Sequence, residues 1–185
     1  MLSINGVRPA VPLDAASIAG VQIRAWQAGG LTPDVLTAVG ARSVEVDWAT
    51  AVAAPPSPRH RVLVAVADGV VVGFAATAPA DDPDSEPSHE GELVALHVDP
   101  SHRVAGHGSR LLSASVDGLR DEGCDLASHW VAAADRVTLG FLEGAGWAVD
   151  GARRELDLHG DRVTTLAQVR LHTALGTAPD TREGR

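Results

Sequence analysis

The chain has 185 residues, 45% of them hydrophobic, which suffices for one domain with a buried core. Its formal net charge is −9, and its 15 basic side chains are all arginine, so it lacks the basic footprint of a nucleic-acid or membrane-surface binder. Cys124 is the only cysteine, which excludes an intrachain disulfide and disfavours a cysteine-based metal cluster. We therefore expect no nucleic-acid partner, no membrane partner and no metal.

No targeting or membrane-spanning segment is predicted. Residues 1–9 lack the basic and apolar regions of a signal peptide, and no apolar run approaches the roughly 20 residues that cross a bilayer. A cytoplasmic location is the expectation that follows. We predict a single domain over residues 1–175 and a disordered tail over residues 176–185.

The first part of the chain predicts a short strand followed by helices. Residues 4–10 form the strand, and Asp14 starts a helical pattern. A second helix runs from Pro33, a favourable first-turn residue, towards Val39. Residues 43–53 continue as helix until a run of prolines breaks it.

A hairpin is the clearest local prediction. Two runs rich in β-branched residues, 61–67 and 70–78, flank the pair Asp68-Gly69. Asp-Gly between such runs indicates a tight hairpin turn. Both runs are nearly continuously apolar, which places them at the centre of a sheet with helices on both faces.

The rest of the chain alternates strands with helices. An acidic polar loop over residues 81–92 comes first. The later elements are a strand over 93–98, a helix over 108–122, a strand over 126–132, a helix over 135–143, and a closing hairpin over 153–158 and 163–171 around Gly160-Asp161. This order predicts a mixed α/β (α+β) layered fold.

A glycine-bearing loop between the strand over 93–98 and the next helix predicts an anion site, and its alternative interpretation is a tight strand-to-helix turn without a ligand. Backbone N–H groups of Gly106 and Gly108 and the unpaired donors of the first helical turn would converge on one concavity, with Arg103 and Arg110 adding charge. A Walker loop is excluded because the chain has no lysine. The dinucleotide fingerprint fits poorly, because Leu111 stands where its third glycine would be.

The same loop resembles the acyl-coenzyme A loop of the GNAT superfamily of N-acetyltransferases. The family pattern is Arg/Gln-x-x-Gly-x-Gly/Ala, which Arg103, Gly106 and Gly108 match. Upstream, residues 92–100 resemble the family's fourth strand and its Val-x-Pro exit. Downstream, residues 135–147 resemble its second cofactor motif, in which an Asn-opened helix ends in Gly-Phe. The resemblance covers most of the chain.

The resemblance implies both a fold and an activity. The fold would be GNAT-like, with a mostly antiparallel central sheet of about six to seven strands flanked by about four helices. The activity would be an N-acetyltransferase that moves an acetyl group from acetyl-CoA, its co-substrate, to a primary amine of a small molecule, peptide or protein. Direct attack in a ternary complex is the implied mechanism. Homodimers are frequent among such relatives, so a homodimer is the oligomeric expectation.

The resemblance also assigns cofactor-binding residues. Leu96, His97 and Val98 would offer backbone groups to the pantetheine arm, like an added strand. Asp135 would open the helix of the second motif, and Phe141 would lie near the thioester end of the arm. The pyrophosphate would be held mostly by backbone N–H groups of Arg103, Val104, Ala105, Gly106, His107, Gly108 and Ser109.

Amine acetylation needs a base, because a typical alkyl ammonium has a pKa of about 10.4. Glu92, at the start of the strand that faces the presumed cleft, is the first candidate, and its alternative interpretation is a solvated carboxylate. His97 is the second candidate, with a packed histidine as its alternative, and His129 is a weaker one. The N–H of Val98 would stabilise the oxyanion.

The family's usual acid is missing. In many members it is a Tyr directly after the position matched by Phe141, but here that residue is Leu142 and the chain has no Tyr. Either another group donates the proton, or coenzyme A leaves as thiolate, or the protein is a weak or inactive relative. The alternative function is therefore a non-catalytic acyl-CoA-binding or sensing domain, and a purely structural or interaction role would show no cofactor binding.

Three further features carry two interpretations each. The loop over residues 81–92 is either an ordinary solvated loop or an acidic lip that attracts cationic amines. Trp26 and Trp48 are either core residues or part of an acceptor pocket. His102 and His107 are expected on the loop surface rather than in the chemistry.

Overall fold

The computed structural model describes residues 6–157 and 165–176, and its centre is a seven-stranded sheet. The strands are β1 (Gly6–Pro9), β2 (Arg61–Ala67), β3 (Val70–Pro79), β4 (Glu90–Val98), β5 (Leu126–Ala132), β6 (Ala148–Asp157) and β7 (Thr165–Ala174). Their spatial order is β1-β2-β3-β4-β5-β7-β6. Every neighbouring pair is antiparallel except β4 and β5, which are parallel. The predicted mixed, mostly antiparallel sheet is confirmed.

The described part of the chain contains five α-helices, one more than the sequence predicted. They are α1 (Ala15–Ala28), α2 (Pro33–Val39), α3 (Ala41–Ala53), α4 (His107–Asp121) and α5 (Arg136–Gly144). The predicted helical continuation after Val39 is a separate helix, because Gly40 adopts a φ of 75° that breaks the helical path. None of these helices combines the length and the apolar character needed to span a bilayer.

Helices cover both faces of the central strands, as the apolar hairpin predicted. On one face, Ile18 and Val21 of α1 pack against Phe74 of β3. On the other face, Leu111 of α4 and Leu142 of α5 belong to a second, larger core cluster. Helix α4 lies over β2, β3 and β4, so the loop that precedes it is held against the end of β4.

Strand β4 begins three residues earlier than predicted, at Glu90 instead of Leu93. Glu90, Gly91 and Glu92 pair with β5, and Gly91 and Glu92 also pair with β3. The two glutamates hid this part of the strand, because acidic residues are depleted in strands. Leu119 of α4 packs so closely over this part of β4 that only a glycine fits at position 91.

Some predictions lie outside the described residues. They are the closing turn at Gly160-Asp161, residues 4 and 5 of the first strand, and the tail from residue 177 onward. Residues 158, 163 and 164 of the predicted closing hairpin also lie outside the described residues. The first strand of that hairpin, β6, begins at Ala148 instead of residue 153 and has a register shift between Val149 and Arg153.

Gly91→Ala should destabilise the fold, because an added Cβ would lie 2.5 Å from Leu119 Cδ2. We expect the free energy of unfolding to fall by about 1–3 kcal/mol, as for other overpacked sites. Gly140→Ala in α5 is the matched control, since a Cβ there meets no atom within 4 Å, and it should be neutral or stabilising. Urea denaturation measures both, and equal effects would contradict the close approach.

Candidate active site

The candidate site begins where β4 and β5 stop pairing. Their parallel register covers only three positions and ends at Glu92↔Ser128, so the remaining halves of the two strands diverge. We call the gap between them the fork. The N–H of Asp99 donates to the Val72 carbonyl at 2.8 Å, on the β3 side. Because peptide groups along a strand alternate in direction, those of Leu96 and Val98 face the fork.

A bulge in β4 decides which side chains share a face. Ala95 pairs with Ala76 and Leu93 pairs with Thr77, so Val94 is an extra residue in β4. Glu92 and His97 are separated by an odd number of positions, and the extra residue between them brings their side chains to the same face of the sheet. Without the bulge, strict alternation would place them on opposite faces.

Glu92 lines a cavity of about 500 Å³ on that face. Burial raises the pKa of the Glu92 carboxyl to about 7, and the charges of Asp82 and Asp81 act in the same direction, while Arg154 and Arg170 oppose the rise. A carboxyl of this pKa exchanges protons near neutral pH, which suits a general base. The other residues that line the cavity are His60, Ala78, Pro79, Ala80, Asp81, Pro87, Val94 and Arg154.

Two neutral histidines lie at the fork. Burial lowers the pKa of both His97 and His129 to about 4. The His97 ring lies beside Phe74, with ring centroids 5.4 Å apart. The Nδ1 of His129 hydrogen-bonds to the Leu93 carbonyl, the next one along β4 after the paired segment. His129 thus supplies a side-chain partner where the backbone ladder ends.

The predicted phosphate loop is a compact turn held at its entry. Asp99 accepts hydrogen bonds from Ser101 N–H at 3.0 Å, Ser101 Oγ at 2.6 Å and Arg24 Nε at 2.7 Å. These contacts lower the pKa of Asp99 to about 2, against the opposing effect of burial. Arg24 belongs to α1, which packs on the face of the sheet opposite to α4, so the ion pair links the loop before α4 to a helix on the other face.

The loop itself uses two left-handed backbone conformations. Gly106, the N-cap of α4, has a φ of 78°, and Val104 has a φ of 65° with its side chain fully exposed. Arg110 Nη2 donates to the Ala105 carbonyl at 3.1 Å and also contacts His107 Nδ1 at 3.1 Å. The guanidinium of Arg110 therefore sits at the N-terminus of α4, where donors for an anion already converge.

His107 corrects one prediction. It is 8% exposed instead of lying on the loop surface, because it opens α4 and turns towards the interior. Burial and the neighbouring Arg110 and His102 lower its pKa. His102 is exposed, as expected, and shares Ser101 Oγ as a hydrogen-bond partner.

The second predicted motif meets the loop at Phe141. A Cβ at Gly108 would lie 3.5 Å from Phe141 Cζ, so the absence of a side chain lets the ring approach the first turn of α4. Asp135 is the N-cap of α5, and its carboxylate accepts from Thr138 N–H at 3.0 Å. Leu142, at the position of the family's acid, is fully buried in the core.

A cluster of charged residues that the sequence analysis did not identify lies near Glu92. Arg170 of β7 binds Asp82 at 3.1 Å, Asp84 at 2.6 Å and Asp150 at 2.6 Å. Trp130 Nε1 also donates to Asp82, at 3.0 Å. Two carboxylates of the acidic loop are thus engaged, which argues against a free acidic lip. The available signal was the alternation of Gln168, Arg170 and His172 on β7, which marks a polar face.

Trp48 supports the core interpretation. Its ring packs edge-on against Phe74 with centroids 4.9 Å apart, and its Nε1 donates to Gln22 Oε1 at 2.5 Å. Trp26 is partly buried on α1.

Comparison with known proteins agrees with this geometry. Residues 35–147, more than half of the chain, match the Acetyltransferase (GNAT) family, and the chain belongs to that family. The mycothiol acetyltransferase of Sanguibacter keddieii is 33% identical over 150 residues, which are 75% of this chain and 46% of that protein. The chain thus spans about half the length of that relative.

Two solved structures share the fold over almost their whole length. The GCN5-related N-acetyltransferase structure from Rhodopseudomonas palustris has a TM-score of 0.70 and 20% identity, covering 94% of this chain and 98% of that one. The structure of yncA from Salmonella typhimurium, with its cofactor acetyl-CoA, has a TM-score of 0.69 and 21% identity, covering 97% and 99%. At these identities the likeness concerns the fold, and the predicted family and fold class are confirmed.

Val104→Asn should raise the stability of the protein. A β-branched residue is disfavoured at the φ of 65° observed here, whereas Asn tolerates it. We expect the free energy of unfolding to rise by about 1 kcal/mol. Val137→Asn on helix α5, where the side chain is also exposed, is the control and should bring no gain. Thermal denaturation of both variants tests the strain, and a loss at position 104 would contradict it.

His129→Leu should destabilise the fold by about 1–3 kcal/mol, because the buried Leu93 carbonyl loses its partner. His129→Asn should retain more stability, since its amide can still donate. The contribution of His97 and His129 to stability should be complete above pH 6.5 and decline towards pH 4, because the unfolded chain binds protons on both histidines at pH values where the native state does not. Glu92, whose pKa is raised, contributes with the opposite sign over this range, so the histidine contribution is measured as the difference between wild type and variant. His129→Asn should flatten this decline, whereas His89→Asn in the exposed loop should not. An unchanged acid profile in His129→Asn would refute the assignment.

Proposed function

We propose that this protein is an N-acetyltransferase that moves the acetyl group of acetyl-CoA to a primary amine of a small molecule, peptide or protein within a ternary complex. The observation that carries the proposal is the fork: backbone groups of β4 left without a strand partner, next to a helix N-terminus, with Glu92 at its root. Membership of the GNAT family and the similarity to a mycothiol acetyltransferase support the same chemistry.

The chain's residues fit the co-substrate in two places. Leu96 and Val98 direct backbone groups into the fork, where they would pair with the amides of the pantetheine arm, with His97 between them. The segment Arg103 to Ser109 would bind the pyrophosphate through backbone N–H groups, and Arg110 would add charge. Phe141 would border the arm beside Gly108. Asp135 would act by starting α5, since its carboxylate already caps that helix.

Proton transfer would begin at Glu92. Its carboxylate would take the proton of the bound ammonium, directly or through one water, and the free amine would attack the acetyl carbonyl carbon. An N–H that faces the fork, that of Val98 or of Leu96, would stabilise the oxyanion. The oxyanion would re-form the carbonyl as the C–S bond breaks, and the attacking nitrogen would lose its second proton, either to the departing coenzyme A sulfur or, where the sulfur leaves as thiolate, to water. His97 is neutral at pH 7, so it would serve as a hydrogen-bonding group rather than as a cationic acid.

One observation favours a second function. The position of the family's Tyr acid is occupied by Leu142, which is fully buried, and the chain contains no Tyr. A non-catalytic acyl-CoA-binding or sensing domain would need the loop and the fork but no acid. Thiolate departure is nevertheless feasible, because a thiol pKa is about 8.5. Thiol release from acetyl-CoA across a panel of amines separates the two functions, since a sensor would bind the cofactor and release no thiol.

Three expectations accompany this proposal. Residues 1–175 would form the acetyltransferase domain, the protein would act in the cytoplasm, and two copies would assemble as a homodimer. These stay predictions, and size-exclusion chromatography with light scattering tests the last of them.

Glu92→Gln should lower turnover at saturating acetyl-CoA by about 10²- to 10⁴-fold, the usual contribution of a general base. In the wild type the rate should fall as pH drops below about 7, because the carboxyl must be ionised to accept a proton. Glu90→Gln on the same strand is the control and should keep both the rate and the pH dependence. A wild-type rate that is flat between pH 5 and 8 would remove Glu92 from the mechanism.

Stability provides a readout of Glu92 that is independent of activity. Its native pKa is raised from 4.5 to about 7, so the native state holds a proton that the unfolded chain loses. The free energy of unfolding should therefore decrease between these two pH values, and the loss should persist above them. Glu92→Gln should gain stability relative to the wild type over that range. Parallel urea denaturation profiles across the range would contradict the raised pKa.

A further inference from the structure

The cavity beside Glu92 has charges of both signs on its walls. Asp81 and Glu92 provide the carboxyl groups, and Arg154 of β6 provides the guanidinium. All three line the same space of about 500 Å³, so one small molecule can contact them together. The positive charge of Arg154 lowers the pKa of the Glu92 carboxyl, against the effect of burial.

Arg154 is held in a defined position. Its guanidinium carbon lies 4.3 Å from the centroid of the Trp130 ring, a cation–π contact. Its Nε donates to Gln168 Oε1 at 2.7 Å. Trp130 is in turn fixed by its hydrogen bond to Asp82. With its guanidinium carbon over the Trp130 ring and its Nε bonded to Gln168, Arg154 keeps the N–H donors of its two terminal nitrogens for a ligand.

Arg154 of β6 and Arg170 of β7 differ in their partners. Arg170 is surrounded by Asp82, Asp84 and Asp150 at 2.6–3.1 Å, so its charge is neutralised within the protein. Among the residues that the structure describes, no carboxylate lies within salt-bridge distance of Arg154. Within that part of the chain, Arg154 contacts an aromatic face and a neutral amide, neither of which neutralises its charge.

We propose that the acceptor is a primary amine that also carries a carboxylate, which the edge of Arg154 binds while Glu92 receives the proton of the ammonium group. This inference rests on the proposed acetyl transfer and specifies its acceptor. A planar guanidinium matches a carboxylate with two parallel hydrogen bonds, which a neutral amide cannot form. Amines without an anionic group would leave Arg154 unpaired and bind more weakly.

The test compares amino carboxylates of increasing length, from glycine to aminohexanoate, with their carboxamides in the thiol-release assay. The preferred amino acid should exceed its amide in kcat/KM by roughly 10- to 100-fold, as charge-assisted pairs do. Arg154→Gln should abolish that preference, measured as the ratio of kcat/KM for the acid to that for its amide, and leave the KM for acetyl-CoA unchanged. The ratio is used because the lost charge also acts on Glu92 and so changes the rate with both kinds of acceptor equally. Arg153→Gln is the matched control, because this neighbouring arginine points to the opposite face of the sheet and should keep the preference.

Two results would overturn the proposal: equal use of acids and amides by the wild type, or an equal loss on both in Arg154→Gln. If no amine releases thiol, the proposed acetyl transfer fails, and calorimetric titration of the N-acetylated amino acids in the presence of coenzyme A still decides the subsite. Binding that is lost in Arg154→Gln but kept in Arg153→Gln would support a carboxylate subsite. No preference of the wild type for these acids over their amides would refute it.

Discussion

The short pairing of β4 with β5 is the constraint on which the site depends. Backbone N–H and C=O groups must find partners, so two strands that separate inside a sheet require substitutes. His129 provides one at the Leu93 carbonyl, immediately after the last paired position. The groups beyond it face a gap bordered by the start of α4. A ligand with its own amide groups can pair with the backbone groups that border such a gap.

The electrostatics of the cavity follow from how the acidic loop is fastened. Arg170 gathers carboxylates from the loop and from β6, and Trp130 holds one of them as well. These pairs turn the loop into a fixed wall instead of a solvated lip. Glu92 lies behind this wall, partly buried and near the charges of Asp81 and Asp82, and its pKa is raised for those reasons. The ion pairs of Arg170 and the burial of Glu92 thus both determine the electrostatics of the cavity.

The absence of a Tyr affects the chemistry of this protein but not its fold. The core position of Leu142 costs the fold nothing, because an apolar side chain packs there without an unsatisfied group. The same substitution removes the group that many relatives use as an acid. The proton that this acid supplies in those relatives must here come from another group, or coenzyme A must leave as thiolate.

Local signals in the sequence determined much of this protein: the Asp-Gly hairpin, the strand-to-helix turn from Arg103 to Ser109, and the start of α5 at Asp135. Each depends on neighbouring residues, through turn geometry, helix capping and apolar periodicity. The bulge at Val94 and the approach of Gly91 to Leu119 depend instead on contacts between distant segments, as does the stacking of Arg154 on Trp130. Only the tertiary structure could therefore decide that Glu92 and His97 share a face and that Arg154 enters the same cavity.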